Sequence, residues 1–281
     1  MSATGATAEV APAVAQQGRP AGFGYILLAE WTKIRSVRST VWSLVIYVIV
    51  TLGLSALLTW ATVHAVQTGR TPRNTDVLAD PSAVILHTGL LLGQLAIAVL
   101  GVLVMTTEYS TGVIRASLLA VPKRLRVLVA KCIVFAVLIF VVSEIISFCT
   151  FFIGAAIVHP VTVVSLNQPD VTRAVIGTGL YLTVLGLFAL AIGALIRHTA
   201  GGIAIVIGLV LVVGPLLGLL DPYGWGKHVH SWFPTTAGGF ITSVQPEDFQ
   251  TLSPWQGFGV FCGWTALLLV IGGYLLRRRD A

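Results

Sequence analysis

The chain has 281 residues, of which 56% are hydrophobic and only 10% are charged, against roughly 25% charged residues in an average soluble domain. A mean hydropathy of +0.91 makes lipid the expected solvent, and the formal charge of +6 comes from seventeen Lys and Arg against eleven Asp and Glu. Together these values exclude a disordered chain, a collagen-like repeat, a disulfide scaffold and an ordinary water-soluble enzyme.

Residues 1–21 are rich in Ala, Gly, Gln and Pro and lack the charged start, apolar stretch and cleavage site of a signal peptide. They read as a disordered cytoplasmic tail ahead of one membrane domain, 22–281. In 23–39, Phe23, Ile26, Leu27, Ile34 and Val37 share one helical face while Lys33 and Arg35 lie off it. That pattern predicts a helix lying in the membrane interface. Glu30 interrupts the apolar stripe, which leaves packing against other protein as the alternative.

Six apolar runs then follow at 40–63, 83–105, 129–157, 174–196, 203–220 and 257–276. A helix crossing about 30 Å of hydrocarbon needs about 20 residues, so the expected architecture is all-α and polytopic, with six transmembrane helices. The alternating ten-residue strands of an outer-membrane barrel are absent. Placing the N-terminus inside puts thirteen basic residues on the inner segments, among them Lys33, Arg115, Lys131, Arg197 and Arg277 to Arg279. Only Arg70, Arg73, Arg173 and Lys227 remain outside. The asymmetry predicts cytoplasmic termini and explains the basic balance without a nucleic-acid partner.

Between the second and third runs, the inner loop 106–131 is amphipathic, with a break at Gly112 and a stop at Pro122. The GxxxG pairs at Gly89 and Gly93, Gly214 and Gly218, and Gly259 and Gly263 allow close helix approach, within the subunit or between subunits. Pro215 is expected to kink or break the fifth run. The long outer segment 221–254 carries four prolines with Trp225, Trp232 and Phe233, and is expected to dip back into the outer interface as a re-entrant element.

No GxxxxGK[ST] phosphate loop, HExxH pair or GxSxG elbow occurs. Cys132, Cys149 and Cys262 lie inside predicted spans without paired spacing. His228 and His230 lack an evident third metal ligand, so no catalytic group, metal or cofactor is assigned. Glu144 stands out near the middle of the third run, in VVSEIISF, where a lipid-facing charge would cost several kcal/mol. It reads either as a group lining a transport path or as a protonated link between helices. His87 and Gln94 are weaker path candidates.

The order of features carries more information than any one motif. AEWTKIRSVRSTVW leads into the first run, TTEYSTGVIRASLLAVPKR follows the second, WFPTTAG precedes the last, and the last ends in RRR. This arrangement resembles the type 2 ABC transporter permeases, in particular the small six-span actinobacterial ones, over nearly all of the chain after residue 22. The resemblance implies a membrane half-transporter that works as a homo- or heterodimer of permeases in the plasma membrane, exporting cargo with a separate ATPase subunit that holds the ATP and Mg. It likens the segment before the first run to a connecting helix and the loop after the second to a coupling helix. Glu108, Tyr109, Thr111, Gly112 and Arg115 become candidates for contact with the ATPase. An apolar bundle with few intramembrane charges suits an amphipathic or lipid-like cargo. The alternatives are a proton-coupled secondary transporter using Glu144, or a membrane assembly factor without transport.

Overall fold

A computed structural model describes residues 22–69, 80–112 and 124–278. The tail 1–21, the outer Arg70 and Arg73, and Arg115, Pro122 and Arg279 lie outside the described residues. Helix α1 (Phe23–Ser36) passes through a bend at Val37 into α2 (Arg38–Gln67). The bundle continues with α3 (Pro81–Ser110), α4 (Arg124–Val158) and α5 (Val171–Ile196). The fifth span, Thr199–Leu220, begins as α6 (Thr199–Ile207). Two short helices, α7 (Gly224–Trp232) and α8 (Pro234–Gly239), precede the last span, α9 (Pro254–Arg278). Six helices are long and apolar enough to cross a membrane, and no strand occurs among the described residues. The chain is an all-α polytopic membrane protein.

The centre of the bundle is α5, with 78% of its most apolar window buried against 17% for α2 and for the fifth span. Four glycines explain how so many neighbours reach it. Gly186 meets α3 at Gly101, Gly193 meets Val102, Gly179 receives the Glu144 side chain from α4, and Gly177 lies under the Ile241 carbonyl. Side chains there would hold the helices apart. Of the GxxxG pairs, Gly89 and Gly93 pack on Thr51 and Ser55 of α2, whereas Gly259 and Gly263 face open space. The first pair therefore serves packing inside this subunit.

Helix α2 is turned as a membrane helix should be. Tyr47, Thr51, Ser55 and Thr59 recur every four residues on its buried side, while Trp42, Ile49 and Trp60 are exposed. Lipid solvates the apolar face, and on the inner face Ser55 Oγ donates to the Ile85 carbonyl at 2.7 Å, while the Thr51 and Thr59 hydroxyls are buried without a partner. The fifth span departs from α geometry well before its proline. A wide π-helical stretch covers Gly208–Val213, one α turn follows at Gly214–Leu217, and a tight 3₁₀ turn at Gly218–Leu220 ends the span. Pro215, lacking an N–H, is accommodated by this loosened ladder and not by a single sharp kink.

The segment after Leu220 folds back on the bundle. Thr235, Ala237, Phe240, Ile241 and Thr242 are buried against α5 and α9, with Gly257 lying under the Ala237 carbonyl and Gly238 under Phe261. Arg173, at the start of α5, holds the segment in place. Its guanidinium donates to the carbonyls of Phe240 (3.5 Å), Ile241 (3.2 Å) and Ser243 (2.9 Å), and its Nε pairs with Asp170 at 3.0 Å. Those carbonyls end the short helical run Pro234–Thr242, where backbone acceptors lack intrahelical donors and a cation is favoured.

Candidate functional site

The end of the bundle that carries α1 and the C-terminal turn of α9 concentrates the chain's buried charge. On α1, Ile26, Glu30 and Ile34 form the buried face, and they pack against α4. Tyr25, Leu28 and Trp31 remain exposed on the other side, as an interfacial helix requires. Glu30 is thus the middle of the packed face and not a flaw in it. Its Oε2 accepts from Lys131 Nζ at 2.7 Å and its Oε1 from Lys33 Nζ at 2.7 Å.

Glu108, in the last turn of α3, closes the ring: its Oε1 lies 2.7 Å from Lys131 Nζ and 3.3 Å from Lys33 Nζ. Two carboxylates and two ammonium groups alternate, so the ring is neutral as a whole. Glu30 is 1% exposed and Lys131 is 3% exposed, which puts both where an unpaired charge would be costly. The Lys33 ammonium is held above the usual lysine range. Burial is the largest single influence and acts downward, but the Glu30 hydrogen bond and the two facing carboxylates together outweigh it.

Beside this ring the end of α3 makes two further ties. Tyr109 lies under the Arg197 guanidinium, 4.9 Å from the ring centroid, within cation–π range. Arg197 ends α5 in a left-handed conformation, φ 57°. Thr199 donates to Thr106 across 3.0 Å. Helix α3 then stops at Thr111 and Gly112. Gly112 has φ 71° and its N–H donates to the Tyr109 carbonyl at 3.3 Å, a left-handed termination that favours glycine.

The sequence-predicted site residues therefore separate. Thr111 and Gly112 are exposed at the tip of α3, Tyr109 is half-buried under Arg197, and Glu108 turns inward to Lys131. Arg115 lies outside the described residues. Glu144 is elsewhere, within the membrane-spanning part of α4. Both of its carboxyl oxygens are buried without a hydrogen-bond partner, against Gly179 of α5. Thr51, Ser143 and Thr150 also bury unpaired hydroxyls. Thr51 and Thr150 line a small gap of about 10 Å³ together with Tyr47 and Ser147.

Sequence reading missed Lys131 and Glu30 as partners. In the sequence Lys131 reads only as one more inner basic residue. The available signal was Glu108 and Lys131 at predicted span ends and Glu30 on the apolar stripe of the helix before the first span, groups that must pair if they are buried.

Residues 26–214, from α1 through most of the fifth span, match the family model described as ABC-2 family transporter protein. The chain belongs to the ABC-2 family of transporter proteins. No curated protein matches it. ABC-2 membership makes the chain a membrane transport component and suggests the membrane subunit of an ABC transporter, multi-pass in the bilayer. An ABC ATPase is the partner that the family implies. The matched region takes in the whole ion ring and stops at Gly214, before the folded-back segment.

Proposed function

We propose that the chain is the permease subunit of an ATP-driven exporter, working as a dimer of permeases in the plasma membrane with both termini cytoplasmic. A separate ATPase, which holds the ATP and Mg, docks on the end bearing α1 and energises it through the loop 106–131. The cargo is amphipathic or lipid-like. The basic excess at this end supports the orientation. The observation that carries the coupling is the ring of Glu30, Lys33, Glu108 and Lys131, which joins α1 to the ends of α3 and α4. A chain energised from outside itself needs a stiff element at the point of contact, and closely paired buried charges resist separation because each leaves its partner uncompensated. In this reading Thr111, Gly112 and the chain beyond, including Arg115, touch the ATPase. Tyr109 and Glu108 pass the displacement to α5 and to α1 and α4.

The test is assembly with the ATPase in membranes. A Thr111→Cys variant should cross-link to the ATPase, and a Glu108→Gln variant should keep assembly while losing most transport-stimulated hydrolysis. Absence of a cross-link from Thr111, together with cross-links from residues 245–250 at the far end, would reverse the orientation and remove the coupling scheme.

Glu144 supports a second reading. A carboxyl group buried in a membrane-spanning helix without a hydrogen-bond partner is a ready proton carrier, which favours proton-coupled transport. In the exporter reading the same group lines the transport path. Transport into vesicles that persists after the proton gradient is collapsed, with ATP present, eliminates the proton-driven model. Loss of transport in Glu144→Gln under those same conditions places the residue on the ATP-driven path.

A further inference from the structure

At the end opposite the ion ring, a cavity of about 250 Å³ lies between α3, α5 and the folded-back segment. Its floor is a hydrogen bond between spans, Tyr181 Oη donating to Gln94 Oε1 at 2.9 Å. Higher up, Thr242 Oγ1 and His87 Nε2 sit 3.3 Å apart, and Glu247 stands exposed at the rim. Gln94 is thirteen residues into α3 from Pro81, roughly 20 Å along the axis, so the floor reaches about the middle of the hydrocarbon. Leu91 on the cavity wall is 54% exposed, which leaves the side of the cavity open toward the surface that α3 turns out of the subunit.

The lining is amphipathic and its charge is one-sided. Leu90, Phe240 and Phe249 supply apolar wall, the polar groups are mostly acceptors or can accept, and among the described lining residues the one formal charge is the Glu247 carboxylate. Among the described residues no Lys or Arg lines it. The nearby Arg173 is committed to Asp170 and to three backbone carbonyls. Among the described residues an anionic headgroup would meet a carboxylate with no compensating cation, whereas an ammonium group would meet that carboxylate at the rim and acceptors below it.

We propose that this cavity is a binding site for an amphiphile with a cationic, hydrogen-bond-donating headgroup, the head lying among Glu247, His87 and Gln94 and the apolar tail leaving past Leu91. The inference rests on the exporter reading for its meaning as a cargo site, but the binding itself does not need the ATPase. A Cβ placed on Gly239, which lines the cavity, meets nothing within 4 Å, so a side chain can start there without a clash, and Gly239→Leu is the variant that narrows the space.

The experiment uses the full chain alone in lipid nanodiscs, with dodecylammonium carrying a dansyl group at its tail end as probe and unlabelled dodecylammonium, dodecanol and dodecyl sulfate as competitors. Dodecylammonium should compete at least tenfold better than dodecyl sulfate. Glu247→Gln should weaken the ammonium probe about fivefold and leave competition by dodecanol unchanged, while Gly239→Leu should abolish binding of the probe. Equal competition by sulfate and ammonium, or undiminished binding in Gly239→Leu, overturns the proposal. ATP-driven transport by the assembled complex in the face of either negative result would sink the cavity site and leave the exporter reading standing. Selective binding without ATP-driven transport would do the reverse.

Discussion

The two ends of this bundle are held together by different chemistry. At the end with α1 and the last turn of α9, four charged side chains from α1, α3 and α4 close on one another in a buried ring. At the far end one guanidinium, Arg173, grips three backbone carbonyls of the folded-back segment, and His230 Nδ1 meets the Asp221 carboxylate at 2.9 Å while stacking on Phe249. A side-chain ring between helices fixes their relative positions and transmits a push. A clamp on carbonyls holds a short segment against one helix and leaves space behind it. The stiff end suits the input of work, and the end with the 250 Å³ cavity suits a guest.

The strongest way to break this contrast is to cut the ring. Lys131 contacts both carboxylates, so Lys131→Met leaves Glu30 and Glu108 to share Lys33 alone, with one buried negative charge uncompensated. The expected cost is about 3–5 kcal/mol, seen as a large fall in thermal unfolding temperature in detergent. If the ring is what fixes α1, a cysteine cross-link between α1 and α4 that forms in the parent should also fail. Replacing Glu30, Lys131 and Glu108 together by Gln, Met and Gln removes all three charges, leaves Lys33 half-exposed, and should recover much of the loss. No recovery would mean that packing, not charge pairing, holds this end.

At the far end the corresponding cut is Arg173→Met. Buried carbonyls that lose a charged donor cost about 1.5–3 kcal/mol, and the effect should stay local. Hydrogen exchange should rise at 234–244 and protease access at 245–250, with the cross-link between α1 and α4 unchanged. A matching loss of that cross-link would show that the two ends are coupled through α5 and not independently secured.

How much of this was legible in the sequence follows from the same contrast. The six spans were readable because an apolar run of about 20 residues has few other uses. The observed helices overshoot the predicted runs by a turn or so at polar residues, as in Arg38–Gln67 against 40–63. The folding back of 221–254 was readable from its aromatic residues beside prolines, but its anchor was not: Arg173 is some seventy residues from the carbonyls it holds, and carbonyl acceptors leave no mark in sequence. Glu108 was readable as a candidate, yet its partners Glu30 and Lys131 lie 78 and 23 residues away, brought together only by the crossing of α1, α3 and α4. Periodicity shows which face is apolar. It does not show which charged residue on that face has a mate.

A smaller test asks whether both ends hang from the same rigid pair of helices. Gly101 of α3 lies against the Gly186 carbonyl and Ala189 of α5. Gly101→Ala therefore forces α3 and α5 apart and should cost about 1–3 kcal/mol. Gly259→Ala, where a Cβ meets nothing within 4 Å, should stay within about 0.5 kcal/mol. If Gly101→Ala raises hydrogen exchange at both ends, α3 and α5 form the shared spine. A rise at one end alone would make the two ends separate units.

The smallest effect concerns Lys33, the half-exposed member of the ring. Its ammonium is held above the ordinary lysine range by Glu30 and Glu108 against the opposing effect of burial. A group whose pKa rises on folding contributes stability in full below its unfolded value and loses that contribution as pH rises through the folded one. Unfolding temperature measured from neutral pH upward should thus show no Lys33-dependent change until pH passes the normal lysine range. Above that, the parent should converge on Lys33→Gln, which lacks the contribution at every pH. A difference between the two that already closes between pH 7 and 9 would show that Lys33 loses its proton early, and that the ring stands on Lys131 alone.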